Sequence, residues 1–208
     1  RTRAVVKIED GCNRFCSYCI IPYSRGRVRS KPIGELKCEL QRLSDAGFAE
    51  VVLVGINLSA YGTDIGLSIC DAVELADRMN FQRVRLGSLE PDHITDEVID
   101  RLAKLPSFCP QFHISLQSGC NNTLKAMNRH YSAEEYFELC QKLRASFPEA
   151  TITTDIMVGF PTESEEDFAE NVRFAQEIGF EKVHVFPYSP REGTRAAKMP
   201  QIEKAVKE

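Results

Sequence analysis

The chain contains 208 residues, of which 43% are hydrophobic and 27% are charged, and its formal net charge is −4 at pH 7. These values are typical of one globular domain with a substantial core, and they exclude wholesale disorder. The sequence shows neither a signal peptide nor an apolar run near the ~20 residues that cross a bilayer, so no membrane partner is expected. The net negative charge argues against nucleic-acid binding over the whole surface.

Six short apolar runs, rich in Val, Ile and Phe, alternate with segments of helical periodicity. Their length and composition predict strands. Alternation of strands and helices favours parallel strands joined by right-handed crossovers. Six such units form either an open doubly wound sheet or a partial barrel, and the pattern alone does not choose between them. In chain order the runs cover residues 4–8, 51–54, 84–86, 112–116, 152–158 and 183–186.

Three amphipathic helices are predicted between these strands, each with an apolar stripe at helical spacing. Ser132 and Thr162 each precede a glutamate by three positions, which is the spacing of a capping box at a helix start. Gly47 and Gly179 stand where the first and last of these helices should end. The three stripes are Ile33, Leu36, Leu40 and Leu43; Tyr136, Leu139, Cys140, Leu143 and Phe147; and Phe168, Val172 and Ala175.

Polar residues and glycines follow all six predicted strands. Both candidate architectures collect the carboxyl ends of their strands at one edge, where ligands and catalytic groups are bound. For any one residue a loop position is the simpler interpretation, but six together indicate a functional site at this edge. The groups are Gly11 with three cysteines, 55–57, 88–90, 117–119, Asp155 with 159–161, and 187–189.

Three cysteines, Cys12, Cys16 and Cys19, have the spacing C-x3-C-x2-C directly after the first strand. Soft thiolates select iron–sulfur clusters, copper(I) or zinc. A structural zinc site needs four ligands, and this segment contains neither a fourth cysteine nor a histidine. Three cysteines on a four-iron cluster would leave one iron open for chemistry. The alternatives are unrelated thiols, or a zinc site completed from a distance in a non-catalytic interaction module.

The remaining five cysteines are scattered and lack the spacing of a metal site. An even total of eight is compatible with disulfides, but that interpretation suits short secreted chains. We therefore expect unpaired, structural thiols in the reducing environment of the cytoplasm. They are Cys38, Cys70, Cys109, Cys120 and Cys140.

The segment from Cys12 to Cys19 resembles the radical S-adenosylmethionine (SAM) superfamily, in which this motif follows the first strand and an aromatic residue precedes the third cysteine. Tyr18 occupies that position. The resemblance implies a partial (β/α)6 TIM-like barrel, a 4Fe-4S cluster on the three cysteines, and SAM bound at the open iron. In such enzymes an electron donor, such as a flavodoxin-type protein, reduces the cluster, and the sulfonium is cleaved to a 5′-deoxyadenosyl radical.

The resemblance is closest to oxygen-independent coproporphyrinogen oxidases and to methylthiotransferases, and it implies roles for further residues. Glu90 would face the ammonium of SAM, and Arg129 would pair with its carboxylate through a bidentate fork. Gln117 and Asp155 would hydrogen-bond the ribose. The structural alternatives are a surface helix position for Arg129 and capping roles for Glu90 and Asp155. Other implied contacts are Tyr18, Ser189 at the adenine, and Gly55 and Gly159, where the backbone approaches closely.

Longer strings resemble methylthiotransferases over most of the chain, and most closely those that act on threonylcarbamoyladenosine in tRNA. This resemblance implies methylthiolation at C2 of N6-threonylcarbamoyladenosine next to the anticodon. Enzymes that modify isopentenyladenosine in tRNA, or an aspartate of a ribosomal protein, are the alternatives. The strings are EDGCNRFCSYCIIPYSRGRVRS, ISLQSGCNNTLKAMNRHYS, TTDIMVGFPTESEEDF and HVFPYSPREGTRAAKMP.

Domain organisation and RNA contacts also follow from this resemblance. Full-length methylthiotransferases add an N-terminal domain with a second 4Fe-4S cluster and a C-terminal RNA-binding domain. Neither is expected within residues 1–208, which correspond to the radical SAM core alone. Arg25, Arg27 and Arg29 form a basic stretch that would contact tRNA phosphates. A solvated loop is the alternative, and Arg25 is also near enough in sequence to tune the cluster.

Overall fold

The computed structural model describes residues 2–207, which form nine strands and eight α-helices. The strands are β1 (Arg3–Lys7), β2 (Glu9–Asp10), β3 (Arg29–Ser30), β4 (Glu50–Val54), β5 (Arg83–Leu86), β6 (Ser88–Leu89), β7 (Gln111–Ile114), β8 (Thr151–Val158) and β9 (Lys182–Pro187). The helices are α1 (Ile21–Arg25), α2 (Ile33–Asp45), α3 (Ile69–Asp77), α4 (Asp96–Leu102), α5 (Asn121–Ala126), α6 (Ala133–Ser146), α7 (Glu165–Ile178) and α8 (Lys204–Lys207).

Strand order follows chain order around the sheet. β1, β4 and β5 form one parallel sheet, and β6, β7, β8 and β9 form a second. β5 contains the third predicted strand, and only Gly87 separates it from β6, so the chain passes directly from the first sheet to the second. A doubly wound sheet would reverse its order at a switch point, and no reversal occurs here. The expected partial TIM-like barrel is therefore confirmed.

Side chains alternate between a helix-covered outer face and an inner face. On the outer face Val6 and Leu53 are buried in one core with Leu40 and Tyr136 of the helices. On the inner face Val5 remains 65% exposed. All six predicted strands are confirmed, as are α2 and α6 with their buried stripes. The inner face and the carboxyl edge are thus the parts of the barrel that are free to carry polar groups.

Helix ends agree with the sequence except at α7. Gly47 and Gly179 have φ of 77° and 65°, the left-handed geometry expected at helix ends. The capping box at Ser132 is present, but the one predicted at Thr162 is wrong, because α7 begins after Ser164. Two possible capping boxes overlap in this segment. The later box is favoured because its Asp167 also accepts hydrogen bonds from Cys120 and Asn122.

Most of the third predicted stripe does not face the core. Phe168 and Val172 are 44% and 39% exposed, and only Ala175 packs against the core. The buried positions of α7 are Asp167, Asn171 and Ile178. Together with Val185 of β9, 61% exposed, the stripe forms an apolar outer surface that no element of residues 2–207 covers. Within the same residues, no helix is long and apolar enough to span a membrane.

Candidate functional site

The cysteine motif lies in a loop that a two-stranded hairpin closes. β2 and β3 pair antiparallel, with Asp10 opposite Arg29, and residues 11–28 connect them. A Cβ on Gly11 would lie 2.0 Å from the carbonyl oxygen of Arg27, so only glycine fits at this crossing. The Cys12 amide donates to the Gly26 carbonyl at 3.0 Å. Both ends of the loop are therefore fixed at the carboxyl edge of the barrel.

The centre of the loop is attached to the end of α5. Ser17 donates from its amide to the carbonyl of Met127 at 2.9 Å and from its hydroxyl to the carbonyl of Ala126 at 2.8 Å. The Asn128 side chain donates to the Phe15 carbonyl at 3.1 Å. These contacts bring the loop against the segment that follows the fourth barrel strand, and hence against Arg129.

The sulfur atoms of the motif are spread more widely than one zinc ion requires. Among residues 2–207, only Cys120, Asp167 and Glu170 bring three ligand atoms within 4.8 Å of one another. A tetrahedral zinc ion with ~2.3 Å bonds would hold its sulfur atoms about 3.8 Å apart. The three sulfur atoms of the motif are not all within 4.8 Å of one another, a spacing compatible with a polynuclear centre in which each thiolate would bind a different metal atom. Burial raises the pKa of Cys12 and Cys19, so metal binding there would release protons and strengthen as pH rises.

Arg129 connects the cysteine loop to the third strand. Its guanidinium is 4% exposed and donates to Glu90 at 2.5 Å, to the Cys16 sulfur at 3.4 Å, and to the carbonyl of Ser115 at 3.1 Å. Its Nε donates to the hydroxyl of Tyr131 at 2.9 Å. The alternative of a surface arginine is therefore excluded. The predicted cofactor residues Glu90 and Arg129 lie together, directly beside one of the predicted cluster ligands.

Gln117 and Asp155 also lie together at the carboxyl edge, Gln117 just beyond the end of β7 and Asp155 within the adjacent β8. The Gln117 amide donates to the Asp155 carbonyl at 2.9 Å, and Gln117 itself is 8% exposed. Nε2 of His113 lies 3.2 Å from the Asp155 carboxylate, while its Nδ1 lies 2.9 Å from the Thr153 hydroxyl. Sequence reasoning missed His113, although its position between buried Phe112 and Ile114 assigns it to the inner face.

A second residue missed from the sequence is Glu9, which is only 2% exposed. Its carboxylate accepts from the Asn57 amide at 2.7 Å, and a Cβ on Gly55 would lie 2.6 Å from it. Gly55 therefore makes room for Glu9, and its contact with a cofactor stays a prediction. Burial raises the pKa of Glu9 to about 6. The Asn57 side chain in turn donates to the Cys12 sulfur at 3.7 Å, so this group borders the cysteine loop.

The remaining predicted cofactor contacts are Tyr18, Gly159 and Ser189. The Tyr18 hydroxyl is 3.5 Å from Arg129, and its ring packs edge-on to Phe160 at 6.3 Å. Gly159 has φ of 66°, and a Cβ there would meet the side chain of Lys207. Ser189 is exposed just beyond β9. The structure brings Tyr18 into the central cluster, whereas Gly159 and Ser189 are peripheral to it.

The predicted RNA-contacting arginines are exposed on the hairpin side of the loop. Arg25 and Arg29 each lie 3.6 Å from the Asp10 carboxylate, with side chains 51% and 58% exposed. Arg27 between them is also exposed. Asp10 offsets part of their charge, and the stretch remains basic and accessible.

The sequence was compared with protein families and with curated proteins. Residues 6–175 match the Radical SAM superfamily. Threonylcarbamoyladenosine tRNA methylthiotransferase MtaB of Chlamydia pneumoniae is 43% identical over 197 residues, which are 94% of this chain and 47% of that protein. A tRNA-2-methylthio-N(6)-dimethylallyladenosine synthase of Thermoanaerobacter sp. is 41% identical over 209 residues, 99% of this chain and 44% of its own length. The chain spans about half the length of the curated relatives it matches.

Solved structures with low sequence identity share the fold. The radical S-adenosylmethionine methyltransferase TsrM from Kitasatospora setae superposes with a TM-score of 0.76 at 15% identity, covering 93% of this chain and 38% of that one. Coproporphyrinogen III oxidase HemN from Escherichia coli gives a TM-score of 0.72 at 16% identity, with 99% and 49% covered. The family match across most of the sequence, the partial barrel and the cysteine loop at its carboxyl edge establish that this chain belongs to the radical SAM superfamily.

Proposed function

We propose that this chain is the radical core of a methylthiotransferase, with a 4Fe-4S cluster on Cys12, Cys16 and Cys19 and SAM at the open iron. The observation that carries the proposal is the buried Arg129, which joins the Cys16 sulfur to the Glu90 carboxylate beside the cysteine trio. When bound, the cluster supplies the electron that cleaves the sulfonium of SAM. The residues of this chain bind and orient the cofactor for that step.

The pair of Glu90 and Arg129 suits the amino-acid end of SAM, which carries an ammonium and a carboxylate. The two side chains lie within 2.5 Å of each other and present opposite charges next to Cys16. A carboxylate favours the ammonium, and a planar guanidinium favours the carboxylate. Because both groups border the cysteine loop, they would direct that end of the cofactor toward the open iron.

The neighbouring pair of Gln117 and Asp155 suits the ribose. A neighbouring amide and carboxylate can accept hydrogen bonds from two vicinal hydroxyls, and the amide can also donate to them. His113 is in contact with Asp155 at 3.2 Å and with Thr153 at 2.9 Å, which limits the rotation of the carboxylate. We assign His113 as a positioning residue for Asp155.

For the substrate we propose C2 of N6-threonylcarbamoyladenosine next to the anticodon of a tRNA. The strings shared with methylthiotransferases and the 43% identity to MtaB support this choice. The 41% identity to a dimethylallyladenosine synthase is too close to separate the two nucleosides, so isopentenyladenosine is the second candidate. Binding of tRNA and donation of sulfur would rely mainly on parts of the protein outside this chain, with a low-potential protein as electron donor.

The cluster assignment is tested by iron content after anaerobic reconstitution. Cys16→Ala should remove the cluster, because each cysteine is the only protein ligand of its iron, and the protein should lose its brown colour together with about four iron atoms. Cys140→Ala is the matched control, since Cys140 is a buried thiol in the core. Equal iron loss from both variants, or a colourless wild-type protein with one bound zinc, would contradict the assignment.

The substrate is tested with the full-length enzyme and two tRNAs, one carrying threonylcarbamoyladenosine and the other isopentenyladenosine. Mass spectrometry of digested tRNA should detect the methylthio group on the threonylcarbamoyl nucleoside. Product on the isopentenyl nucleoside alone would reverse the choice. No product on either RNA, with SAM still cleaved, would direct attention to a protein substrate.

A further inference from the structure

The Cys12 sulfur accepts hydrogen bonds from two nitrogen donors, and one of them lies far from it in the sequence. The Arg14 amide donates at 3.4 Å from within the cysteine loop. The Asn57 side chain donates at 3.7 Å from the segment that follows β4. Among residues 2–207, no other asparagine side chain donates to a sulfur of the motif. Asn57 is therefore a donor that the barrel fold brings to a predicted cluster ligand.

The backbone of Asn57 is held on both sides. Its amide donates to the Glu9 carboxylate at 2.7 Å, and its carbonyl accepts from the Ala60 amide at 2.9 Å. Gly55 leaves room for the carboxylate, because a Cβ there would lie 2.6 Å from it. Glu9 and Asn57 are only 2% and 5% exposed. Because the backbone is fixed and bulk water is excluded, the side-chain amide is directed at Cys12.

The orientation of this amide is informative because its two ends have opposite polarity. Nδ2 faces the Cys12 sulfur, whereas Oδ1 is buried and has no hydrogen-bond partner among the described residues. A metal-bound cysteine is a thiolate, which attracts an N–H donor and repels a carbonyl oxygen. The observed orientation is therefore the one that a thiolate at Cys12 favours. A buried oxygen without a partner costs free energy, so packing alone does not account for an asparagine at this position.

We propose that Asn57 is a positioning residue whose hydrogen bond to Cys12 raises the reduction potential of the cluster. The inference rests on the cluster assigned above. Reduction is a one-electron step in which a low-potential donor loses one electron and the cluster gains it, with no bond formed or broken. The added electron increases the negative charge on the cysteine sulfurs, so an N–H donor stabilises the reduced cluster more than the oxidised one. Asn57 would therefore make the cluster easier to reduce.

The experiment compares the full-length, cluster-loaded enzyme with its variants Asn57→Ala and Asn57→Asp. Midpoint potentials are measured by titration with dithionite while the EPR signal of the reduced cluster is recorded. Asn57→Ala removes the donor, and we expect the ratio of reduced to oxidised cluster at a fixed potential to fall about tenfold, or ~59 mV for one electron. Asn57→Asp keeps the size of the side chain but replaces the donor with an acceptor, so it should lower the potential further. If Asn57 only filled space, aspartate should resemble wild type more closely than alanine does.

Asn122→Ala is the matched control, because the side-chain amide of Asn122 donates to the Asp167 carboxylate at 3.1 Å and not to a sulfur. Its midpoint potential should match that of wild type. Any further cluster in the full-length enzyme serves as an internal reference, since these substitutions leave its ligands unchanged. An iron assay on each protein establishes equal loading before the potentials are compared.

A measurement on the wild-type enzyme does not depend on the stability of any variant. Asparagine with an isotope-labelled side-chain nitrogen should show a weak magnetic coupling to the reduced cluster in pulsed EPR, because that nitrogen is hydrogen-bonded to a ligand sulfur. Absence of this coupling, or equal midpoint potentials in wild type and both Asn57 variants at equal iron content, would overturn the inference and leave the cluster assignment standing. A wild-type protein that binds no iron would overturn both.

Discussion

At the scale of single residues, Arg129 is the group on which the candidate site depends most. One buried guanidinium contacts the sulfur of Cys16, a predicted cluster ligand, together with a carboxylate and a backbone carbonyl. Arginine offers five donors in a fixed plane, and lysine offers a point charge with three. A change that keeps the charge but removes the plane therefore separates electrostatics from geometry at this position.

We predict that Arg129→Lys keeps the cluster and weakens SAM binding. Loss of a hydrogen bond to a charged group costs ~1.5–3 kcal/mol, or about ten- to a hundredfold in affinity. Calorimetry with SAM and an iron assay measure the two effects. Arg101→Lys is the control, because Arg101 makes ion pairs with Asp71 and Glu74 in another part of the fold. Wild-type SAM affinity in Arg129→Lys would disprove the assigned role.

The site residues differ in how far they could be predicted from sequence. Cys12, Cys16 and Cys19 are within eight positions, so their spacing alone indicates a metal centre. Glu9 contacts Asn57 across 48 positions, and no local spacing pattern links the two residues. The Glu9 carboxylate stands out as a site residue only because it is buried, and its burial cannot be recognised from the neighbouring sequence. Contacts of this kind depend on barrel closure and need the structure.

At the scale of elements, the alternation of hydrophobic periods was sufficient to predict the six strands. Capping signals predicted the starts of helices less reliably. Thr162 and Ser164 both begin a box with an acid three positions on, and only Ser164 caps α7. Thr162 instead has φ of 87°. The apolar stripe of α7 was also a poor guide to burial, because an amphipathic pattern identifies an apolar face but does not show which element covers that face.

We predict that Ser164→Ala lowers the free energy of unfolding by ~1 kcal/mol, the usual effect of removing an N-cap. The lost bond is that from the Asp167 amide to the serine hydroxyl, at 3.1 Å. Thr162→Ala should have little effect, since its hydroxyl caps nothing. Urea denaturation of the cluster-free chain at constant pH gives both values. A larger loss of unfolding free energy from Thr162→Ala than from Ser164→Ala would indicate that the helix begins after Thr162, as first predicted.

At the scale of the whole molecule, the barrel separates its functions by face. The core lies between strands and helices, whereas the cysteine loop and the polar groups lie at the carboxyl edge. The family and the architecture could be predicted because strand order, helix spacing and one contiguous motif all point to the same fold. The substrate could not, because the chain is almost equally identical to relatives whose names specify different nucleosides.

We predict that the 208-residue chain alone cleaves SAM without modifying tRNA. Its sequence contains one closely spaced cysteine trio and so one cluster site. With a strong reductant it should form 5′-deoxyadenosine slowly, and its tRNA affinity should be weak because a single basic stretch is available. Chromatography of the SAM products and mass spectrometry of digested tRNA measure the two outcomes. A methylthiolated nucleoside would reveal a sulfur source within this chain, and absence of 5′-deoxyadenosine from cluster-loaded protein would refute the radical assignment.

The uncovered outer surface of α7 and β9 also governs how the chain behaves in concentrated solution. Phe168, Val172 and Val185 present apolar area to water beside β9, which is an edge strand of its sheet among residues 2–207. Such edges template intermolecular sheets. Salting-out by sulfate should therefore precipitate this chain readily, and a lysine in place of Val185 should raise its solubility while leaving the carboxyl edge unchanged.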